Sequence, residues 1–127
     1  RYAALYRPYH MIGLELPISV LNAVLNAQPT GDTRDWRGDV AAVTKRDLKA
    51  GEMLDGEGGY TVYGKLIPAE RSLREGALPI GLAHGVRLRQ DVAAGSVVRA
   101  ADVDLKDTPA AIVRREMEAE TRGRIAA

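Results

Sequence analysis

Three places in this sequence carry side chains whose type and spacing could do chemistry. The densest is Tyr6-Arg7-Pro8-Tyr9-His10, where a guanidinium and an imidazole stand just before a long apolar stretch. Arginine presents paired donors that match a phosphate or carboxylate, and a helix start offers free backbone amides. Arg7 and His10, with Tyr9 between them, are therefore candidates for binding an anionic substrate. The competing reading is a proline-stiffened segment whose tyrosines pack on a β module and whose arginine is solvated. The second place is Gly81-Leu82-Ala83-His84-Gly85, a turn in which His84 could titrate near neutrality as an acid or base, or serve as a hydrogen-bonded structural histidine. The third is Tyr60-Thr61-Val62-Tyr63 with Lys65. Strand alternation puts Tyr60 and Val62 on one face and Thr61 and Tyr63 on the other, so one tyrosine is expected in the core. The other tyrosine, with Lys65, could face a substrate opening or simply water.

Counts exclude other chemistries. Zero cysteines remove disulfides, thiolate nucleophiles and thiolate-bound metals, and agree with a reducing cytoplasm. His10 and His84 are the two histidines, and neither belongs to a spacing such as H-E-x-x-H, so no metal site is expected. Eighteen basic against seventeen acidic residues give a net charge of +1, which provides no field to gather nucleic acid or an anionic membrane surface. No apolar run approaches the roughly 20 residues that span a bilayer. At 127 residues, 46% hydrophobic and 28% charged, the chain is a soluble globular protein with one expected core.

Stepping along the chain, Leu14, Ile18, Leu21 and Leu25 are spaced as one face of a helix, and Val20 and Val24 widen that face. Pro17 suits the first helical turn, so the regular helix is expected from near Leu16 until just before Gln28. So wide an apolar face needs a partner larger than a short peptide arm. The stretch 28–38 (QPTGDTRDWRG) has the composition of a surface connection and marks a boundary. Beyond it the pattern changes to short apolar runs, expected as strands at 39–44, 60–66, 78–81 and 86–88. Thr108-Pro109 then opens a short C-terminal helix, with Thr as cap and Pro in the first helical position. Its Arg114, Arg115, Glu116, Glu118, Glu120 and Arg122 are expected to form an exposed, salt-bridged face. The expected organisation is a helical remnant or linker over 1–37, a β domain over 38–108, and a helix with tail over 109–127.

Inside the β domain, Lys45-Arg46-Asp47-Leu48-Lys49-Ala50-Gly51-Glu52-Met53-Leu54 repeats as Arg89-Gln90-Asp91-Val92-Ala93-Ala94-Gly95-Ser96-Val97-Val98, at a constant offset of 44 residues. Asp47 pairs with Asp91, Gly51 with Gly95, and Leu54 with Val98. The physical expectation is a strand, a tight turn whose glycine takes positive φ, and a short strand that delivers Leu54 or Val98 into the core. Each aspartate is expected to hold amides a residue or two ahead in its own turn, a structural rather than catalytic pairing. The result is a pseudo-twofold module.

These two segments, V-T-K-R-D-L-K-A-G-E-M-L (43–54) and R-L-R-Q-D-V-A-A-G-S-V-V-R-A-A-D-V-D-L (87–105), resemble the two signature halves of a SAF domain. The resemblance covers about 39–107. It implies a mainly β (α+β) fold, the β-clip, here preceded by one helix and followed by another. The flanking YRPYHMIGLELPISVLNAVL and the enclosed GEGGYTVYGKLIPAERSLREGALPIGLAHGV resemble the C-terminal part of bacterial homoserine-dehydrogenase-like oxidoreductases, among them deoxyxylulose-phosphate-reductoisomerase-like enzymes. That second resemblance implies a fragment, inactive alone, of a cytoplasmic NAD(P)-dependent enzyme that acts on a small anionic substrate. Its expected partners are the Rossmann and catalytic domains of the parent, in a homodimer. No G-x-G-x-x-G is present, and Gly56-Glu57-Gly58-Gly59 falls between strands, so NAD(P) would bind outside this chain. The alternative is a non-catalytic SAF-type module that binds carbohydrate or protein by itself.

Overall fold

The computed structural model describes residues 3, 4, 6–31 and 35–126, in two units divided between Asp35 and Trp36. The connection expected over 28–38 includes 32–34, which lie outside the described residues.

The first unit contains helix α1, Ile12–Asn26. It starts earlier than the expected Leu16 and takes Pro17 into its interior. The Met11 carbonyl already accepts the Leu14 and Glu15 N–H groups at 2.8 and 2.9 Å, so a turn is closed before the proline. Pro17 then forgoes a single bond, the one to Gly13. The helix stops where Ala27 turns left-handed (φ 51°) and its N–H returns to the Asn22 carbonyl. Glu15, Ser19, Asn22 and Asn26, spaced four, three and four, make one narrow polar stripe. The rest of the surface is apolar, and no residue of α1 is buried: its large hydrophobic side chains run from 52% exposed at Leu21 to 74% at Leu25.

The second unit is built on β1 (Gly38–Thr44), β2 (Met53–Asp55), β3 (Val62–Pro68), α2 (Ala69–Glu75), β4 (His84–Arg87) and α3 (Pro109–Ala126). Strand β1 pairs antiparallel with β3, in register from Gly38 opposite Pro68 to Thr44 opposite Val62. Strands β2 and β4 form a second antiparallel pair, Met53 opposite Arg87 and Asp55 opposite His84, with a bulge between. The main core joins residues of both pairs, and a smaller cluster of Ala41, Ile67 and Ala77 lies beside it. Leu48, Leu54, Leu78, Leu88, Val62, Val92, Val98 and Val103 fill the main core.

The repeat is a true twofold in its hydrogen bonds. Leu48 N–H donates to the Val92 carbonyl and Val92 N–H to the Leu48 carbonyl, both at 2.9 Å, so the pseudo-axis passes between these equivalent residues. Gly51 N–H donates to Leu88 O at 2.8 Å, and its equivalent Gly95 N–H to Thr44 O at 3.0 Å. Leu88 N–H donates to Glu52 O, and Thr44 N–H to Ser96 O. Both glycines hold positive φ, 88° at Gly51 and 74° at Gly95, and Leu54 and Val98 are fully buried, as expected. The aspartates differ from expectation. Asp47 Oδ1 accepts the amide of Ala94 at 2.8 Å, and Asp91 Oδ1 the amide of Ala50 at 2.9 Å. Each closes the turn of the other copy, because the axis brings the opposite turn nearer than the aspartate's own. Residues before each turn make one bridge, Leu48 to Val92, rather than a strand.

Three further expectations are corrected. Residues 78–81 are not a strand: Pro79 makes a single bridge to Ala41, and a 3₁₀ turn, Ile80–Leu82, follows. Proline lacks the N–H that would continue a ladder. Neither Tyr60 nor Tyr63 is core; Tyr60 lies in the loop before β3, 88% exposed, while Thr61 is drawn inward by Asp55. Helix α2 was hidden in a segment read as strands and turns, although Pro68 before it, Gly76 after it, and an Arg71–Glu75 pair at i,i+4 are helix signals.

Helix α3 begins as expected, with Thr108 Oγ1 accepting Ala111 N–H at 3.2 Å, and runs 18 residues rather than a short stretch. Its docking corrects the exposed-face expectation at Arg114 and Glu118, while Arg115, Glu116, Glu120 and Arg122 are exposed as expected. Arg114 is mostly covered, its side chain 12% exposed, forking onto Asp39 with Nη1 and Nη2 at 3.1 and 2.7 Å and giving Nε to Glu118 at 2.6 Å. Ser72 donates to the same Asp39 carboxylate, and the guanidinium stacks 4.4 Å from the Trp36 ring centroid. Burial alone would raise Asp39, but hydrogen bonds from Arg114 and Ser72 hold it below the usual carboxylate range.

Candidate functional site

The five residues singled out for binding fall in three separate settings. Arg7, Tyr9 and His10 precede α1 in the first unit. The guanidinium of Arg7 lies 2.8 Å from Glu15 Oε1 and 5.0 Å from the Tyr9 ring centroid, and His10 Nδ1 is 3.7 Å from the other oxygen of Glu15. The local reason is α1's early start, which sets Glu15 in the first turn, one turn above these residues. An incoming anion would compete with a carboxylate already in place.

His84 opens β4 beside the β2 bulge. Its Nδ1 is 3.0 Å from the Asp55 carbonyl, so in the neutral ring Nδ1 carries the proton and Nε2 is left as the acceptor. It borders a shallow groove of about 240 Å³ with Lys106 and Thr108. Lys65 sits on β3 opposite Ala41, exposed, and belongs to the other strand pair. His84 and Lys65 therefore do not share a sheet.

The most constrained ionisable group in the clip is one that sequence reasoning passed over. The Asp55 carboxylate accepts the Thr61 hydroxyl and the backbone N–H groups of Tyr60 and Thr61. The Thr61 hydroxyl, followed by those amides, lowers its pKa to about 2 against an ordinary 3.8. Gly59 passes so close that a Cβ there would lie 2.1 Å from the Asp55 carboxyl carbon. The glycine run 56–59 thus wraps one of the chain's own carboxylates, between β2 and β3, as a turn rather than a phosphate cradle. The aspartate-to-threonine spacing across three glycines was the available signal.

The second overlooked group is Arg114. Burial works against its charge, but the hydrogen bonds it donates to Asp39 and Glu118 raise its pKa above its ordinary value. Together with Arg89 and Arg115 it borders a cavity of about 260 Å³ between α3 and the clip. Among the described residues, no three histidine, aspartate or glutamate side chains gather as metal ligands, and no helix is long and apolar enough to cross a membrane. The clip's hydroxyl–carboxylate contacts, Ser72 with Asp39 and Thr61 with Asp55, lie in the α3 docking cluster and the β2–β3 loop, where they brace the fold.

No curated protein matches the chain. A family model described as the SAF domain matches residues 39–104. That span runs from the start of β1 past the second copy of the repeat, holds the whole pseudo-twofold framework, and is more than half the sequence; the chain belongs to the SAF domain family.

Proposed function

We propose that this chain is the accessory module of a larger, cytoplasmic NAD(P)-dependent oxidoreductase that acts on a small phosphate- or carboxylate-bearing substrate, of the reductoisomerase-like kind in isoprenoid-precursor chemistry. In this reading the clip braces the catalytic domain and supports a homodimer. The dinucleotide is bound by a Rossmann domain elsewhere in the parent, and hydride transfer is the cofactor's chemistry. The observation that carries the reading is α1. A helix with apolar residues around most of its circumference and none of them buried is a core element, and three side chains of its polar stripe are already paired: Glu15 with Arg7, and Asn22 with Asn26 at 2.8 Å and with the Gln28 carbonyl at 3.1 Å. A catalytic domain supplies the cover such a helix needs, and Arg7, Tyr9 and His10 then stand at its edge.

The test is to read and express the complete reading frame. We expect a strand–G-x-G-x-x-G–helix unit in it, NAD(P)H turnover by the complete protein, and none by the 127-residue chain. Arg7→Ala in the complete enzyme should raise KM for the anionic substrate severalfold. A secretory leader, or turnover unchanged by Arg7→Ala, would count against the reading. The groove beside His84 favours a second reading, a non-catalytic module for carbohydrate or protein, and a leader without a dinucleotide motif would select it.

A further inference from the structure

The cavity under α3 has an uneven lining. Its floor is apolar, made by the partly exposed Leu82 and Leu105 over the buried Leu78 and Val103 of the clip. Its rim carries the guanidinium groups of Arg89, Arg114 and Arg115 against one carboxylate, Glu118. That carboxylate is already engaged, Oε1 with Arg114 at 2.6 Å and Oε2 with Arg122 at 3.4 Å. The aspartates that pair with the rim arginines do not border the cavity: Asp104 holds Arg89 Nε at 2.6 Å, Asp107 holds Arg115 Nη2 at 2.6 Å, and Asp39 holds Arg114. A guanidinium has five N–H donors. Arg89 and Arg115 each give one to an aspartate, and both side chains remain more than half exposed, so their other donors are available to a ligand.

We infer that this cavity binds a small amphiphilic anion, a phosphate or carboxylate carrying a compact apolar group. The anionic head meets the fork-shaped donors of Arg89 and Arg115, and the apolar body lies on Leu82 and Leu105. An uncharged ligand would leave the rim unused, and inorganic phosphate would leave the floor unused. The volume, about 260 Å³, is just below the roughly 300–1,000 Å³ of drug-sized pockets, which sets the scale at a small metabolite. This site does not depend on the oxidoreductase reading and would serve either kind of SAF protein.

Titration of the full 127-residue chain with phenyl phosphate, followed by methyl NMR, tests it. The expected result is saturable shifts of the Leu82 and Leu105 methyl signals, with inorganic phosphate and phenol each binding more weakly. Affinity should fall at least about tenfold in Arg89→Gln/Arg115→Gln, whose parent side chains are exposed, as loss of charge-assisted hydrogen bonds predicts. Ala100→Leu, at an exposed position on the cavity wall, should also abolish binding and needs no change of charge. Absent shifts, shifts that map away from α3, or affinity unchanged in Ala100→Leu would each overturn the proposal.

Discussion

At Gly51 the turn of the first copy is fastened by Glu52, whose carboxylate accepts the Lys49 amide at 2.7 Å and pairs with Arg46 at 2.7 Å. At Gly95 the equivalent position is Ser96, and the fastening group is the Thr44 hydroxyl, which donates to Ala93 O at 2.6 Å and accepts from Ser96 N–H at 3.1 Å. The backbone bonds of the two turns and the crossed aspartates are the same; the further side chains that reinforce each turn are unrelated. Beyond the turns the copies diverge again. The first runs into the loop around Asp55, the second into a 3₁₀ turn, Ala100–Asp102, where Asp102 takes the Arg99 amide and the Gln90 side chain. The twofold frame thus depends on a short set of positions, the two aspartates, two glycines and the apolar residues between. Everything else in each copy was free to specialise.

The comparison can be broken most severely at the axis. Leu48→Ala removes a buried side chain that touches the pseudo-axis and should cost about 3 kcal/mol of unfolding free energy in urea titration. Val92→Ala, at the equivalent but slightly more exposed position, should cost roughly two-thirds of that. Equal losses, from two carbons removed against three, would mean the Val92 side is packed the more tightly. The next effect belongs to the first copy alone. Gly59→Ala drives a Cβ into a carboxylate fixed by three donors and should cost about 2 kcal/mol, read as a lowered Tm.

Smaller differences sharpen the comparison. Asp47→Ala should cost about 1 kcal/mol, as loss of a capping carboxylate does. Asp91→Ala loses the matching bond and also the Lys49 ammonium, 2.7 Å away, whose hydrogen bond lowers the Asp91 pKa. The two variants should therefore differ at low salt and converge near 1 M, where exposed ion pairs are screened. The last effect is confined to acid. Asp55 titrates lower in the folded chain, about 2, than its ordinary 3.8, so its contribution is complete above about pH 4 and is lost as pH falls through about 2. Asp55→Asn should flatten that part of the stability profile, and an unchanged slope in urea titrations between pH 4 and 2 would refute the loop's role.

Much of the frame was legible in the sequence because repetition marks what the fold requires. Gly51 and Gly95 had to share a conformation, and Leu54 and Val98 a destination, and both did. Thr108-Pro109 announced α3 because capping chemistry is local. Non-local bonds left no such trace. The aspartates' exchange of turns is invisible in either copy read alone, and Arg114 looked like one more charge on a helix because its acceptor, Asp39, lies 75 residues away. Helix α2 was missed since seven residues give too little periodicity to outweigh the strand-like runs around them. Of the candidate site, the sequence picked residues of the right chemical type, but it could not see that Arg7 is held by Glu15, or that His84 and Lys65 lie on different strand pairs.

The crossed carboxylates have a bearing on how such a protein can be divided. A chain cut between the repeats yields two pieces, each with a hinge whose fastening anion resides on the other. Neither piece can finish itself, yet a pair of pieces, or two copies of one, possesses every closing bond. We expect co-expressed halves of the clip to assemble as a one-to-one complex, with the hinge aspartates acting as its lock.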